Sequence, residues 1–209
     1  MIKKVNRSRC IELNPKLAHF NENSMSDAPT SFYPEVYASY VLTYKANSIE
    51  EHIEVFAAEI TWATKEFGYD FFLFMPHEDS PWIKDPGESE ILWDAVNFLM
   101  EHGVDAQFDG GLRVRVEILP HFLKHVMRLA YYHPDFPTIN FIDEGQNFLC
   151  SICGHGNMHV DILTPSMYEL CIDAMSKTRL EFIESNNCRE IYQQSVSSEK
   201  TESVTIKAE

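Results

Sequence analysis

The chain has 209 residues, 44% of them hydrophobic and 12% aromatic, which is enough apolar material for one packed core. Its net charge of −15 argues against non-specific binding to nucleic acid or to anionic lipid, since both need a positive field. The longest purely apolar run, 71–76, is far short of the ~20 residues a membrane span needs. The basic, polar N-terminus (Lys3, Lys4, Arg7, Arg9) is not followed by the apolar segment of a secretory signal. The five cysteines, an odd number without framework spacing, read as free thiols in a reducing, cytoplasmic setting.

Residues 1–31 are mostly polar and aperiodic and read as an N-terminal arm or edge element. A globular domain is expected over 32–185, opening with a Tyr- and Val-rich strand over 37–44. Ser48 and Glu51 form a capping box, and Ile49, Ile53, Phe56, Ile60, Ala63 and Phe67 trace one helical stripe that Gly68 ends. The apolar run 69–75, bounded by Gly68 and Pro76, predicts a strand covered on both faces. A second helix is predicted over 86–102, with Asp85 as cap, Pro86 in the first turn and Glu88 closing a second box.

Asp109-Gly110-Gly111 between 104–108 and 112–119 predicts a hairpin, its second arm alternating Leu112, Val114, Val116 and Ile118 against Arg113, Arg115 and Glu117. A third helix follows over 120–132, then strands over 138–142, 147–153 and 158–163, then a helix over 165–184. Residues 186–209 have little to bury and read as a disordered tail. Hairpins and a meander among helices define an α+β domain with a mostly antiparallel or mixed sheet. No internal repeat is present.

Charge is segregated along the chain. Residues 50–109 hold fifteen acidic and two basic side chains, which is most of the imbalance. Glu50, Glu51, Glu54, Glu66, Glu78, Asp79, Asp85 and Glu88 are therefore candidate binding residues for a basic protein, in the manner of immunity proteins or DNA mimics. This non-enzymatic, inhibitory or binding role is the first functional expectation. The bland alternative is a solvated face that keeps the protein soluble. A basic stripe of Arg113, Arg115, His121, Lys124, His125, Arg128 and His133 offers either an anion patch or internal pairing with those carboxylates.

The second expectation rests on Cys150-Ser151-Ile152-Cys153-Gly154-His155-Gly156-Asn157-Met158-His159. A C-x-x-C followed by glycine resembles half of a zinc knuckle, and His155 and His159 would complete a tetrahedral site for zinc. A second C-x-x-C is missing, and Cys171 and Cys188 stand alone in the sequence. Strand alternation adds an objection. With a four-residue loop over 154–157, Cys150 shares a face with His159 and Asp161 while Cys153 lies opposite, so the ligands divide and a zinc site is disfavoured. Cys150, His159 and Asp161 would also suit a thiol nucleophile, although no helix N-terminus is aimed at Cys150 to activate it. The loop His77-Glu78-Asp79-Ser80 with Trp82 leaves a central strand and carries groups suited to metal or acid–base work. No P-loop, G-x-G-x-x-G, G-x-S-x-G or H-E-x-x-H motif occurs.

Overall fold

The computed structural model describes residues 1–21, 30–183 and 188. The elements are β1 (Ile2–Val5), α1 (Arg7–Leu13), β2 (His19–Asn21), β3 (Thr30–Phe32), β4 (Ala38–Thr43) and α2 (Ile49–Glu66). They continue as β5 (Phe71–Pro76), α3 (Glu90–Glu101), β6 (Gly111–Arg115), a 3₁₀ turn over Val116–Ile118, α4 (Leu119–Tyr132) and β7 (Ile139–Asp143). The last are β8 (Phe148–Ile152), β9 (Met158–Ile162), α5 (Pro165–Ser176) and β10 (Glu181–Ile183). Eight strands form one antiparallel sheet in the order β1-β6-β5-β7-β8-β9-β4-β10, and β2 pairs with β3 separately. The class is α+β. Among the described residues no helix is long and apolar enough to cross a membrane.

β5 lies inside the sheet between β6 and β7, and five of its six residues are buried. Phe74 stacks on Phe141 at 4.5 Å and meets Phe122 of α4 edge-on at 4.7 Å. Its opposite face, with Leu73 and Met75, is covered by Cys10, Leu17 and Ala18. Burial on both sides is why this strand reads as a continuous apolar run rather than an alternation. The main helical layer is α2 and α3 packed on α4. In α2 the Ser48 hydroxyl accepts from the Glu51 N–H at 3.1 Å, and the Glu51 carboxylate reaches back to the Asn47 N–H at 2.9 Å. Ile53, Phe56, Ile60 and Ala63 are buried, and each large side chain so placed contributes roughly 1.5–3 kcal/mol of transfer free energy.

Of the arm or edge element expected over 1–31, β1 is an edge strand of the sheet, paired with β6, and α1 closes the second core layer. Within the same segment, residues 22–29 lie outside the described residues, as does the tail expected over 186–209 except Cys188. Three expectations from the sequence need correction. The second helix starts at Glu90, not 86, because Gly87 has a left-handed φ of 57° that no helix accommodates, and Ser89 supplies the cap. Residues 104–108 form no strand; Asp105 turns that segment through bonds from Gln107 and Phe108, and β6 pairs instead with β5 and β1. The last helix ends at Ser176, and the chain returns as β10 along β4.

Candidate metal centre

β8 and β9 are joined by a five-residue connection, 153–157, with Ile152 opposite Met158 and Ser151 opposite His159. Gly156 N–H donates to the Cys153 carbonyl at 2.9 Å, and Cys153 N–H donates to the Asn157 carbonyl at 3.1 Å. Gly156 sits at φ 76°, a left-handed value that suits glycine. In this turn the backbone N–H groups of His155 and Asn157 bond to the Cys153 sulfur. From α2, His52 bonds the Gly156 carbonyl at 2.8 Å and the Tyr44 carbonyl at 2.7 Å, fixing the turn to the helical layer.

The loop is one residue longer than the sequence reading assumed, and this reverses the facing of the cysteines. A slip of one residue moves every side chain of a strand to the other face. Cys150 pairs across from Val160 and Phe141 and is buried in the helix-side core. His159 stands opposite Ser151, on the other face, and Cys153 joins it there.

The third participant is Cys188, five residues beyond β10. One ligand atom each from Cys153, His159 and Cys188 lie within 4.8 Å of one another, and this is the group of metal-ligand type among the described residues. The two sulfurs are 3.8 Å apart. Asn157 Nδ2 donates to the Cys188 sulfur at 3.4 Å, while Asn157 Oδ1 accepts from the Thr43 hydroxyl of β4 at 2.6 Å. Of the four ligands considered from sequence, Cys153 and His159 belong to the group, and Cys150 and His155 lie outside it.

The electrostatics separate Cys188 from the other thiols. The hydrogen bond from the Cys153 thiol, joined by those from His159 and Asn157, brings Cys188 down to about 4 against the opposing effect of burial. The same contact with Cys188, together with burial, pushes Cys153 up. Burial raises Cys10 and Cys171 to about 11 each and raises Cys150 well above the ordinary thiol value. The donors around Cys188 favour its thiolate, the form in which cysteine binds metals. Sequence reasoning missed it because it stands in a polar stretch. That setting was itself the signal, since a free cysteine is usually found buried.

The other candidate groups are engaged elsewhere. Asp79 pairs with Arg7, whose guanidinium also donates to the carbonyls of Phe20, Pro76 and His77. His77 accepts from Asn140 at 2.9 Å, and fully buried Trp82 donates to the Gly110 carbonyl at 2.8 Å, so the 77–82 loop is bolted to the sheet. Arg128 binds Glu50 at 2.9 Å and Asp94 at 3.2 Å, and Lys124 pairs with Glu54. Part of the basic stripe therefore neutralises part of the acidic segment. Glu51 serves the α2 cap. Glu66 is exposed at the end of α2 that precedes β5, whereas Glu78 is exposed beyond the other end of that strand. Asp85, Glu88 and Glu90 stay together on the surface where α3 begins.

No family model matches the chain, and neither the curated proteins nor the solved structures contain a match.

Proposed function

We propose that this is a metal-binding protein that holds zinc, or a similarly soft divalent ion, through Cys153, His159 and Cys188. The observation that carries the reading is the spacing of the two sulfurs. Thiolates about 2.3 Å from zinc at a tetrahedral angle stand roughly 3.8 Å apart. The sulfurs of Cys153 and Cys188 are 3.8 Å apart before any ion is added, with an imidazole beside them. The surrounding bonds support the same reading. Backbone N–H groups aimed at Cys153, and the Thr43–Asn157 relay to Cys188, are the outer-shell contacts that orient metal-bound thiolates. Three protein donors leave a fourth tetrahedral position for water or a further ligand.

The test is elemental analysis of untagged protein after dialysis, with chelator competition. About one equivalent of zinc is expected. Cys188→Ser should weaken binding by more than the roughly 10–100-fold typical of losing an outer-shell partner. Protein that carries no stoichiometric metal and takes up none from buffered zinc would refute the proposal.

A second reading is favoured by one observation. Trp93, 45% exposed, donates its indole N–H to the Gly87 carbonyl at 2.9 Å, and Asp85, Glu88 and Glu90 are exposed in the same stretch of chain. An exposed aromatic with exposed carboxylates in the neighbouring sequence suits a basic protein partner, with tryptophan as the anchor. Binding to a basic protein should weaken steeply as salt rises and be lost in Trp93→Ala; salt-independent binding rules this out.

A further inference from the structure

We propose that Cys153 and Cys188 are also a modification site, at which a peroxide closes a reversible disulfide that removes both sulfurs from the metal. The consequence for the metal rests on the zinc reading above; the disulfide itself does not. The argument begins from pairing. Of the five cysteines, Cys10, Cys150 and Cys171 are buried in the two core layers, whereas Cys153 and Cys188 face each other at 3.8 Å. A disulfide needs the sulfurs at about 2.05 Å, a closure of roughly 1.8 Å from their present separation. Cys153 lies on a turn and Cys188 beyond a three-residue edge strand, so neither sulfur is locked in the middle of a ladder.

The two sulfurs are also chemically unequal. The Cys188 sulfur accepts from Asn157 Nδ2 at 3.4 Å and has the His159 imidazole beside it, so it is the sulfur better placed to carry negative charge. Cys153 lies beside it on the β8–β9 turn, partly buried. In the first step the Cys188 thiolate attacks one peroxide oxygen. An S–O bond forms, the O–O bond breaks, and hydroxide leaves, giving a sulfenic acid on Cys188. In the second step the Cys153 sulfur attacks the Cys188 sulfur. The S–S bond forms, the S–O bond breaks, and the hydroxyl leaves as water with the Cys153 proton. Two electrons pass from the sulfurs to the peroxide, and a dithiol reductant reverses the change.

Removing two of three donors leaves His159 alone, so a bound ion is released. Conversely, an ion held by both thiolates withdraws the electron pair that attacks peroxide, and metal slows the oxidation.

The test uses the wild-type chain in two arms. Metal-free protein is treated with stoichiometric hydrogen peroxide and analysed by intact mass and by peptide mapping. The expected result is loss of two hydrogens, a single cross-link joining the Cys153 and Cys188 peptides, and full reversal by dithiothreitol. Zinc-loaded protein, with a chromogenic chelator present, should react more slowly and release its zinc in step with the cross-link. A cross-link to Cys10, Cys150 or Cys171, or over-oxidation of Cys188 without a cross-link, overturns the inference whether or not metal binds. If the first arm gives the 153–188 cross-link while zinc never binds, the disulfide stands and the zinc reading fails. No variant is required, so a folding defect cannot obscure the outcome.

Discussion

Asn157 Nδ2 donates to the Cys188 sulfur at 3.4 Å, and this bond crosses between two segments that share no strand pairing. The amide can aim there because Thr43 holds its oxygen at 2.6 Å. Replacing Asn157 by Leu should raise the pKa of Cys188 from about 4, read from the pH dependence of thiolate absorbance. Zinc affinity should drop roughly 10–100-fold. An unchanged thiolate titration would remove Asn157 from the site.

The same thiolate gives metal-free protein a defined pH dependence. The folded value for Cys188 is about 4 and the unfolded value is 9.0, so between them the unfolded chain binds more protons at this position. Its contribution to stability is full above the unfolded value and is lost as pH falls through the folded one. Cys153 is shifted upward and stays protonated in both states below 9.0, so it adds no slope in this window. The Cys188 contribution, isolated as the difference between wild type and Cys188→Ala in denaturant titrations, should grow as pH rises from about 5 to 8. A flat difference would contradict a folded-state thiolate.

Cys150 and Cys188 should behave as opposites. Cys150 fills the helix-side core, so Cys150→Ser should lose about 1–3 kcal/mol by burying a hydroxyl, while zinc stoichiometry is unchanged. Cys188→Ser should abolish tight zinc binding. Equal zinc loss in the two variants would show that Cys150 reaches the ion.

Gly156→Ala should destabilise by about 1–2 kcal/mol, because an L-residue at φ 76° is strained. The added Cβ would lie 3.6 Å from the His52 ring, an ordinary contact, so the cost is conformational. Zinc affinity should fall as well, since the turn aims two N–H groups at Cys153. Stability and zinc affinity that both match wild type would sink this reading of the turn.

Asp143 is fully buried and accepts from the N–H groups of Gly145, Asn147 and Phe148 and from the Asn147 amide, at 2.7 to 3.0 Å. Asp143→Ala strands those donors and should cost about 3 kcal/mol or more in denaturant unfolding. A loss under about 1 kcal/mol, the size of an ordinary surface change, would mean that water replaces the carboxylate.

Much of the scaffold was legible because local signals agreed with the burial they led to. Ser48 caps α2 as its capping box implied, and the run through Phe72, Phe74 and Met75 is the doubly covered strand. The start of α3 was misread because Asp85, Pro86 and Glu88 match a helix opening while Gly87 turns left-handed between them. The site was half legible. Cys153 and His159 were visible as ligand types, but their facing depended on a loop of four or five residues, which periodicity does not count. Cys188 was invisible as a partner because only the pairing of β10 with β4, formed across more than a hundred residues of sequence, carries the chain back to the turn.

That return path sets an order of events during synthesis. Cys188 follows Cys153 by 35 residues, so at about 5–20 residues per second the ribosome delivers it roughly 2–7 seconds later. Through that interval the β8–β9 turn offers one thiol and one imidazole, a weak chelate. On the zinc reading proposed above, tight capture would begin only when Cys188 arrives, so a bound metal would mark a chain whose sheet has already gained its last edge strand.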